Sequence, residues 1–467
     1  MRIRIPPCFW LPTALLAALV AAPSGAVQLE RAHPGRVHAL LVLVSIDGLK
    51  PEAVLEAESR GLKVPNLRAL VKHGAYATGV DGVLPTLTYP SHMTLLTGAS
   101  PARHGIVANT TFDPYNRNQM GWYWYAEDVH AETLWDAASA AHLKTANIYW
   151  PTSVGAPIDD NLPQIWRAGT EDDLKLQRAL STPGLEQALS ASLGRYPGGM
   201  QETVAEDETR AQFAIRLLET RHPEFATFYF TGLDTEQHRS GPFSAASNAV
   251  LERLDAVVGS IRAAAEREAP GHTTFCVVSD HGFAAVEHDV NLYTAFLNAG
   301  LFSVDEQHKI TNWKAMPWPT GGTAAIMLAD PRDASVRSQV SVLLSQLASD
   351  PVNGIDRVLT HEEITARGGF PDAAFVVAFR IGYESGASRD GPLVSGPSNL
   401  GMHGYLPDRP EMRSAFFIVG PHIAAGHSLG EIDMRRIAPT LAHIMNLRLR
   451  DAELAALPLD DLPPAAR

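Results

Sequence analysis

Four short stretches of this chain set acids and histidines at spacings that suit a metal ion. In GLDTEQH, Asp234 and His238 are spaced i and i+4, so one helical turn presents a carboxylate and an imidazole on one face, half of a zinc site. In SDHG, Asp280 and His281 are adjacent at the end of an apolar run. Neighbouring strand residues point to opposite faces, so these two converge only where the strand turns, and Gly282 is expected to permit that turn. GMHGY carries His403 between Gly401 and Gly404, in a loop expected to be flexible, with few packing partners and with backbone able to approach an ion. SIDG puts Asp47 at the end of the first apolar run. Any one of these could be an ordinary cap or loop residue. Together, three Asp, three His and one alkoxide would supply mixed oxygen and nitrogen ligands for two zinc ions. Two metals ~4 Å apart form a clamp for in-line displacement at phosphorus.

The alkoxide is sought in LTYPSH, residues 87–92. Pro90 suits the first turn of a helix, which sets Thr88 at the helix N-terminus, where free N–H groups and the helix dipole favour an anion. A threonine hydroxyl is a weak nucleophile until metal coordination lowers its pKa. Thr86 and Thr94 are the rivals; Thr88 is preferred because it immediately precedes the Tyr-Pro helix entry.

The elements that must position these residues are apolar runs ending in acids. HALLVLVSIDG, EFATFYFTGLD and HTTFCVVSDHG are continuously rather than alternately apolar, as strands buried on both faces are. Asn248 to Glu268 carries apolar residues at helical spacing between them. The expected class is α/β, an α/β/α sandwich with a mainly parallel central sheet. Ligands of such sheets sit at the carboxyl ends of the strands, where Asp47, Asp234, Asp280 and His281 fall. From about residue 283 to 398 the pattern loosens, which reads as a smaller inserted subdomain. The main sheet is expected to resume with RSAFFIVG and IDMRRIAPTLAHIM, and the tail DAELAALPLDDLPPAAR to pack loosely.

Composition limits the function classes. The 467 residues carry a formal charge of −13 with no basic block, which disfavours binding to a nucleic-acid duplex but not to a small phosphate ester held by metal. Arg2 and Arg4 precede the apolar run LPTALLAALVAA and a small-residue exit at Ala26, the pattern of a cleavable signal peptide over residues 1–26 and of a periplasmic or secreted protein. Pro12 and Pro23 bracket an apolar core shorter than the ~20 residues of a spanning helix, so no stable membrane span is expected. Loss of this segment takes the charge from −13 to −15 and leaves Cys276 alone, so stability falls to the core of residues 27–467 and to bound metal.

Beyond these spacings, the chain resembles the nucleotide pyrophosphatase/phosphodiesterase family of the alkaline phosphatase superfamily. The motifs match in order over nearly the whole mature length: LVSIDG, PTLTYPSHMTLLTGASPARHGIVAN, IYWPTS, GLDTEQHRSGP, VVSDHGF and GMHGY. The resemblance implies one zinc on Asp234, His238 and His403 and another on Asp47, Thr88, Asp280 and His281. Thr88 would be the nucleophile that is transiently phosphorylated, and water would release it in a second in-line step. Asn109, in GIVAN, matches the asparagine that donates to a non-bridging phosphate oxygen together with the Tyr89 N–H. The family core Thr-Phe-Pro-Asn stands here as Thr-Tyr-Pro-Ser. Tyr89 keeps an aromatic face for a nucleobase or aryl group, Ser91 serves as a polar helix-start residue, and Trp122, Tyr123, Trp124 and Trp166 are candidates for the substituent pocket, with apolar packing as the alternative. His92 and His104 are read as supporting or packing residues.

The expected function is hydrolysis of a small phosphodiester or nucleotide substrate. A phosphomonoesterase of the same superfamily would add a Lys-x-Arg pair that IYWPTSVGAPIDDN lacks; it and a phosphonoacetate-type hydrolase are the alternatives. ASPAR at 99–103 resembles a sulfatase signature, but Ala99 holds the position that must be modified. A catalytically silent phosphate-ester or zinc binder is the alternative outside enzymes.

Overall fold

The computed structural model describes residues 39–118, 121–165, 170–197 and 202–459, so the expected signal peptide and Trp166 lie outside the described residues. These residues belong to one compact unit. Its centre is the strand Leu40–Ile46, buried at every position because helices cover both faces of the sheet it bisects. It pairs in parallel with Phe225–Phe230 on one side and Thr273–Val278 on the other. The sheet has eight strands: it continues past Phe225–Phe230 to Thr145–Ile148 and Asp160–Leu162 in parallel, and past Thr273–Val278 to the antiparallel Phe416–Val419. One helix layer holds Pro65–His73, Val204–Arg221 and Ala245–Glu268; the other holds Thr88–Thr97, Leu134–Ala140 and Ile437–Ile444. This is the expected α/β/α sandwich with a mainly parallel sheet.

Ala284–Val290 pairs with Gly382–Ser385, Val394–Ser395 and Gly401–Met402 in a small mixed sheet. Ala315–Pro319, Thr323–Leu328, Phe375–Phe379 and Ile355–Thr360 form an antiparallel sheet with its own apolar core around Ile326, Val340 and Val377. Its other face packs on Leu84, Leu87 and Ala108, clamping the loop that leads into Thr88.

Two expectations are corrected. Phe416–Val419 joins the main sheet, but IDMRRIAPTLAHIM does not: Glu431–Asp433 pairs with Gly79–Asp81 in a separate ribbon, and the helix Ile437–Ile444 follows. The C-terminal stretch is docked rather than loose up to Leu459. Leu457 and Leu459 are 4% exposed, Leu457 N–H donates to Thr440 Oγ1 at 2.7 Å, and Arg436 donates to the carbonyls of Ala455 and Ala456. Two buried leucines outweigh the ordering of so short a segment when its backbone groups are also paired.

Candidate active site

Register explains why distant residues meet. The three adjacent strands Thr273–Val278, Leu40–Ile46 and Phe225–Phe230 run in the same direction and end level, with Ser45 opposite both Val278 and Tyr229. Asp47 follows the first strand of the sequence, Asp280 and His281 follow the 273–278 strand, and the turn after Phe230 enters the helix Gly232–Ser240. That helix presents Asp234 and His238 one turn apart, with His238 Nε2 3.5 Å from Asp234 Oδ2. His403 arrives from the loop after Gly401–Met402, its Nε2 3.7 Å from Asp234 Oδ1.

Two triads result. Asp234, His238 and His403 converge within 4.8 Å, as do Asp47, Asp280 and His281. In the second, His281 Nε2 lies 3.2 Å from both Asp47 Oδ1 and Asp280 Oδ2. The triads abut, for the rings of His281 and His403 stack with centroids 3.6 Å apart.

The donor set fits cations. Each of the three histidines has Nδ1 against a backbone carbonyl: His238 on Gly401 O at 2.9 Å, His403 on Thr86 O at 3.0 Å and His281 on Gly282 O at 3.1 Å. A carbonyl only accepts, so Nδ1 carries the proton and Nε2 keeps its lone pair facing the carboxylates. Asp47 Oδ1, Asp234 Oδ1 and Asp280 Oδ2 are buried without a hydrogen-bond partner. Among the described residues their ion-pair neighbours are histidines alone. Burial drives the carboxyls upward, Asp280 to about 7 and Asp47 and Asp234 well above the usual range, the latter two also through neighbouring carboxylates. The same burial pushes His238 down to about 4 and His403 to about 3, and His281 well below its ordinary value. Three carboxylates, each with a buried orphaned oxygen, and three neutral imidazoles form a cluster that divalent metal would neutralise.

Thr88 is the first residue of the helix Thr88–Thr97, and its Oγ1 lies 3.4 Å from His281 Nε2. The helix start is fixed by His92, whose Nδ1 donates to Thr88 O at 2.8 Å while Nε2 accepts from Ser45 Oγ at 2.9 Å. Of the rivals, Thr86 donates to Tyr405 O and Thr94 to Ala99 O, each serving local structure. Asn109 sits beside Thr88, its Oδ1 accepting from Tyr89 N–H at 3.0 Å. That amide is therefore engaged by Asn109 rather than free, and the side-chain nitrogen of Asn109 has no protein acceptor among the described residues.

Three local expectations change. Tyr89 is 1% exposed and packs on Trp122 with centroids 5.3 Å apart, so its ring is part of the wall rather than an open stacking face. His403 is buried against His281, His238 and Phe283, not loosely held. Gly282 has no left-handed backbone; it is required because a Cβ there would lie 2.2 Å from Glu411 O and 2.7 Å from Arg413 O. Gly404 does need its freedom, with φ of +82° and Thr320 O 2.0 Å from a Cβ position.

Sequence reasoning missed the support beneath the triads. Tyr229 OH donates to Asp47 Oδ2, a role hinted at by a polar ring in a wholly buried strand. Asp207 accepts from the N–H groups of Thr231 and Gly232, the latter at 2.7 Å, and so holds the start of the helix bearing Asp234 and His238. Asp207 is in turn bound by Arg210 Nη1 at 2.8 Å, and the fully buried Arg210 guanidinium lies 3.8 Å over Tyr149. Tyr149 OH donates to Glu202 at 3.0 Å. Asp207 precedes the helix it caps by more than twenty residues, so no local pattern betrays it.

Residues 41–406 match the family model described as type I phosphodiesterase / nucleotide pyrophosphatase. Ectonucleotide pyrophosphatase/phosphodiesterase family member 3 of Rattus norvegicus is 26% identical over 251 residues, 52% of this chain and 24% of that protein. The pyrophosphatase/phosphodiesterase C725.05c of Schizosaccharomyces pombe is 23% identical over 429 residues, 87% of this chain and 77% of that protein. The chain thus spans about a quarter of the length of the rat relative. Among solved structures, murine ectonucleotide pyrophosphatase / phosphodiesterase 5, an inactive variant in complex with AMP, shares the fold with a TM-score of 0.63 at 20% identity, covering 90% of this chain and 97% of that one. With the match running from the first strand of the central sheet to the loop beyond His403, the chain belongs to the type I phosphodiesterase / nucleotide pyrophosphatase family.

Proposed function

We propose that this protein hydrolyses phosphodiester or pyrophosphate bonds of nucleotide-type substrates through a phosphorylated Thr88, with Asp234, His238 and His403 holding one zinc and Asp47, Thr88, Asp280 and His281 holding another. The observation that carries the reading is the place of Thr88 Oγ1: at a helix N-terminus, 3.4 Å from His281, whose ring joins the two triads. Zinc bound there supplies Lewis acidity, lowering the pKa of the threonine hydroxyl and of a water and neutralising charge on the phosphoryl group.

The chain's own groups do the rest. Thr88 Oγ1 forms a bond to phosphorus as the bond to the leaving oxygen breaks, and a water oxygen then takes the place of Oγ1. His92 holds the Thr88 carbonyl and with it the direction of attack. Asn109 Nδ2 donates to a non-bridging phosphate oxygen, where charge grows in the transition state. The AMP complex of the murine relative and the nucleotide activity in the rat relative's name support the substrate class. The prefix "ecto" in the rat protein's name and the apolar leader of this chain support a place outside the cytoplasm.

The test compares bis(p-nitrophenyl) phosphate with p-nitrophenyl phosphate, with and without chelator. Diester hydrolysis lost on chelation, restored by zinc and absent in Thr88→Ala is expected. Absence of diester hydrolysis, or its survival in both conditions, overturns the reading, and a preference for the monoester promotes the phosphomonoesterase alternative.

A further inference from the structure

In the small mixed sheet, the strands Ala284–Val290 and Gly382–Ser385 run in parallel with Glu384 opposite Asp289. Both residues are buried, Glu384 at 2% exposed and Asp289 at 5%, and one carboxyl hydrogen-bonds the other. Ionised carboxylates only accept, so that bond needs a proton on one of the two. Among the described residues no Lys or Arg forms an ion pair with either, and two bare charges so close and so buried would repel. The pair therefore holds one proton and one charge. Burial, with the charge and hydrogen bond of Asp289, raises the Glu384 carboxyl to about 7 against the donors of Asn399. The titratable groups nearby are the exposed Glu287 on the strand of Asp289, His288, which lies 4.9 Å from the Tyr383 ring, and Tyr405, which feels the Glu384 charge and donates its hydroxyl to Tyr383 O at 2.9 Å.

What the pair holds is the approach to His403. Ser398 donates its N–H to Asp289 Oδ1 at 2.9 Å and its hydroxyl to Oδ2. Asn399 donates its N–H to Glu384 Oε1 and its Nδ2 to both oxygens, each at 3.2 Å. The next two residues carry these ties to the first triad: Leu400 N–H donates to His238 O at 2.9 Å, and Gly401 O accepts from His238 Nδ1 at 2.9 Å. Gly401 and Met402 then pair with Ala285 and Ala284, and His403 follows. The carbonyl that aims His238 and the strand that delivers His403 thus belong to one segment, seated on two carboxyls.

We infer that Asp289 and Glu384, with one proton between them, are positioning residues for His238 and His403, seating residues 398–401 so that both rings face a bound cation; the inference rests on the reading of those histidines as metal ligands. Loss of the shared proton sets two negative charges side by side and weakens the seat. The hold on the cation from this source is complete at low pH and falls as pH rises through about 7.

The experiment loads the full chain with zinc and follows its release to an excess of chromophoric chelator at about pH 6 and pH 8, a unit on either side of the Glu384 value. The parent is compared with Glu384→Ala and Glu384→Gln. Gln accepts from Asn399 and donates to Asp289, so that variant keeps a single negative charge at both pH values. At the lower pH, Glu384→Ala is expected to release zinc at least about tenfold faster than the parent, with Glu384→Gln restoring slow release. At the higher pH, the ratio of parent to Glu384→Gln release rates is expected to rise at least about threefold, the equivalent of half a pKa unit. A pair that only stabilised the sheet would leave this ratio unchanged. A constant ratio, or release from Glu384→Ala as slow as from the parent, overturns the inference; if Glu384→Ala does not fold, the ratio alone decides. A parent that binds no zinc overturns the ligand assignment instead. The seat is then decided by hydrogen exchange of the Ser398, Asn399 and Leu400 amides in the metal-free parent and Glu384→Gln, where protection lost at the higher pH in the parent alone supports it and equal protection in the two overturns it.

Discussion

His281 and His403 lie face to face, ring centroids 3.6 Å apart and planes within 8°, although they are far apart in the chain and belong to different candidate metal triads. Two imidazolium ions could not hold that stack, and burial together with the neighbouring ring keeps His281 neutral. The two proposed cation sites therefore share a wall, and a change in one is expected to be felt in the other. His403→Ala is expected to lower bound zinc from two per chain toward one and to weaken the remaining ion, read by atomic emission and competition with a chromophoric chelator. Full retention of both ions would refute the assignment of His403.

Thr88→Ala removes the proposed nucleophile while leaving the six proposed Asp and His ligands in place. Turnover of bis(p-nitrophenyl) phosphate should fall at least about a thousandfold, with zinc content near that of the parent. Residual activity within tenfold of the parent, about 1.4 kcal/mol in barrier, would show that another group attacks phosphorus.

Asp207 and Arg210 make a buried pair, both 0% exposed, under the helix of Asp234 and His238. Asp207→Ala leaves the buried guanidinium with only the longer Glu206 contact at 3.8 Å as an ion pair and uncaps Thr231 and Gly232, an expected loss of about 3 kcal/mol. The paired change Asp207→Ala with Arg210→Met should cost less than Asp207→Ala alone. Thermal melts of the two variants check this, and a double variant less stable than the single would reject the pairing.

Glu202 is buried, and burial raises its carboxyl to about 8 against the opposing effects of Arg210, Tyr149 and Gln164, with Asp207 adding to the rise. A raised acid is protonated in the fold but ionised in the unfolded chain between the two pKa values. Its stabilisation is complete below about pH 4.5, its ordinary value, and is lost as pH rises through about 8. Glu202→Gln keeps an acceptor for the Tyr149 hydroxyl and cannot ionise. Melting temperature should therefore fall less from pH 5 to 8 in the variant than in the parent. Parallel pH profiles would show that Glu202 does not titrate in this range.

The sequence alone settled the class of the fold and singled out the acids and histidines that the structure gathers into two triads. Strands buried on both faces must be apolar throughout, so the runs ending in Asp47, Asp234 and Asp280 announced a parallel sheet and put acids at its carboxyl edge. The i, i+4 spacing of Asp234 and His238 was legible because a helix has a fixed period, and Pro90 marked the helix start behind Thr88. What the sequence left open was everything set by contacts between remote segments. The stacking of His281 on His403, the Nδ1 anchors that aim three imidazoles, the burial of Tyr89 and the support from Asp207 and Arg210 all join residues far apart in the chain. Gly282 shows the difference in one residue: its position next to His281 was visible in the motif, but the reason for glycine, the carbonyls of Glu411 and Arg413 where a Cβ would be, exists only once the chain has closed. Local periodicity can be read residue by residue; which faces meet is decided by packing of the whole core.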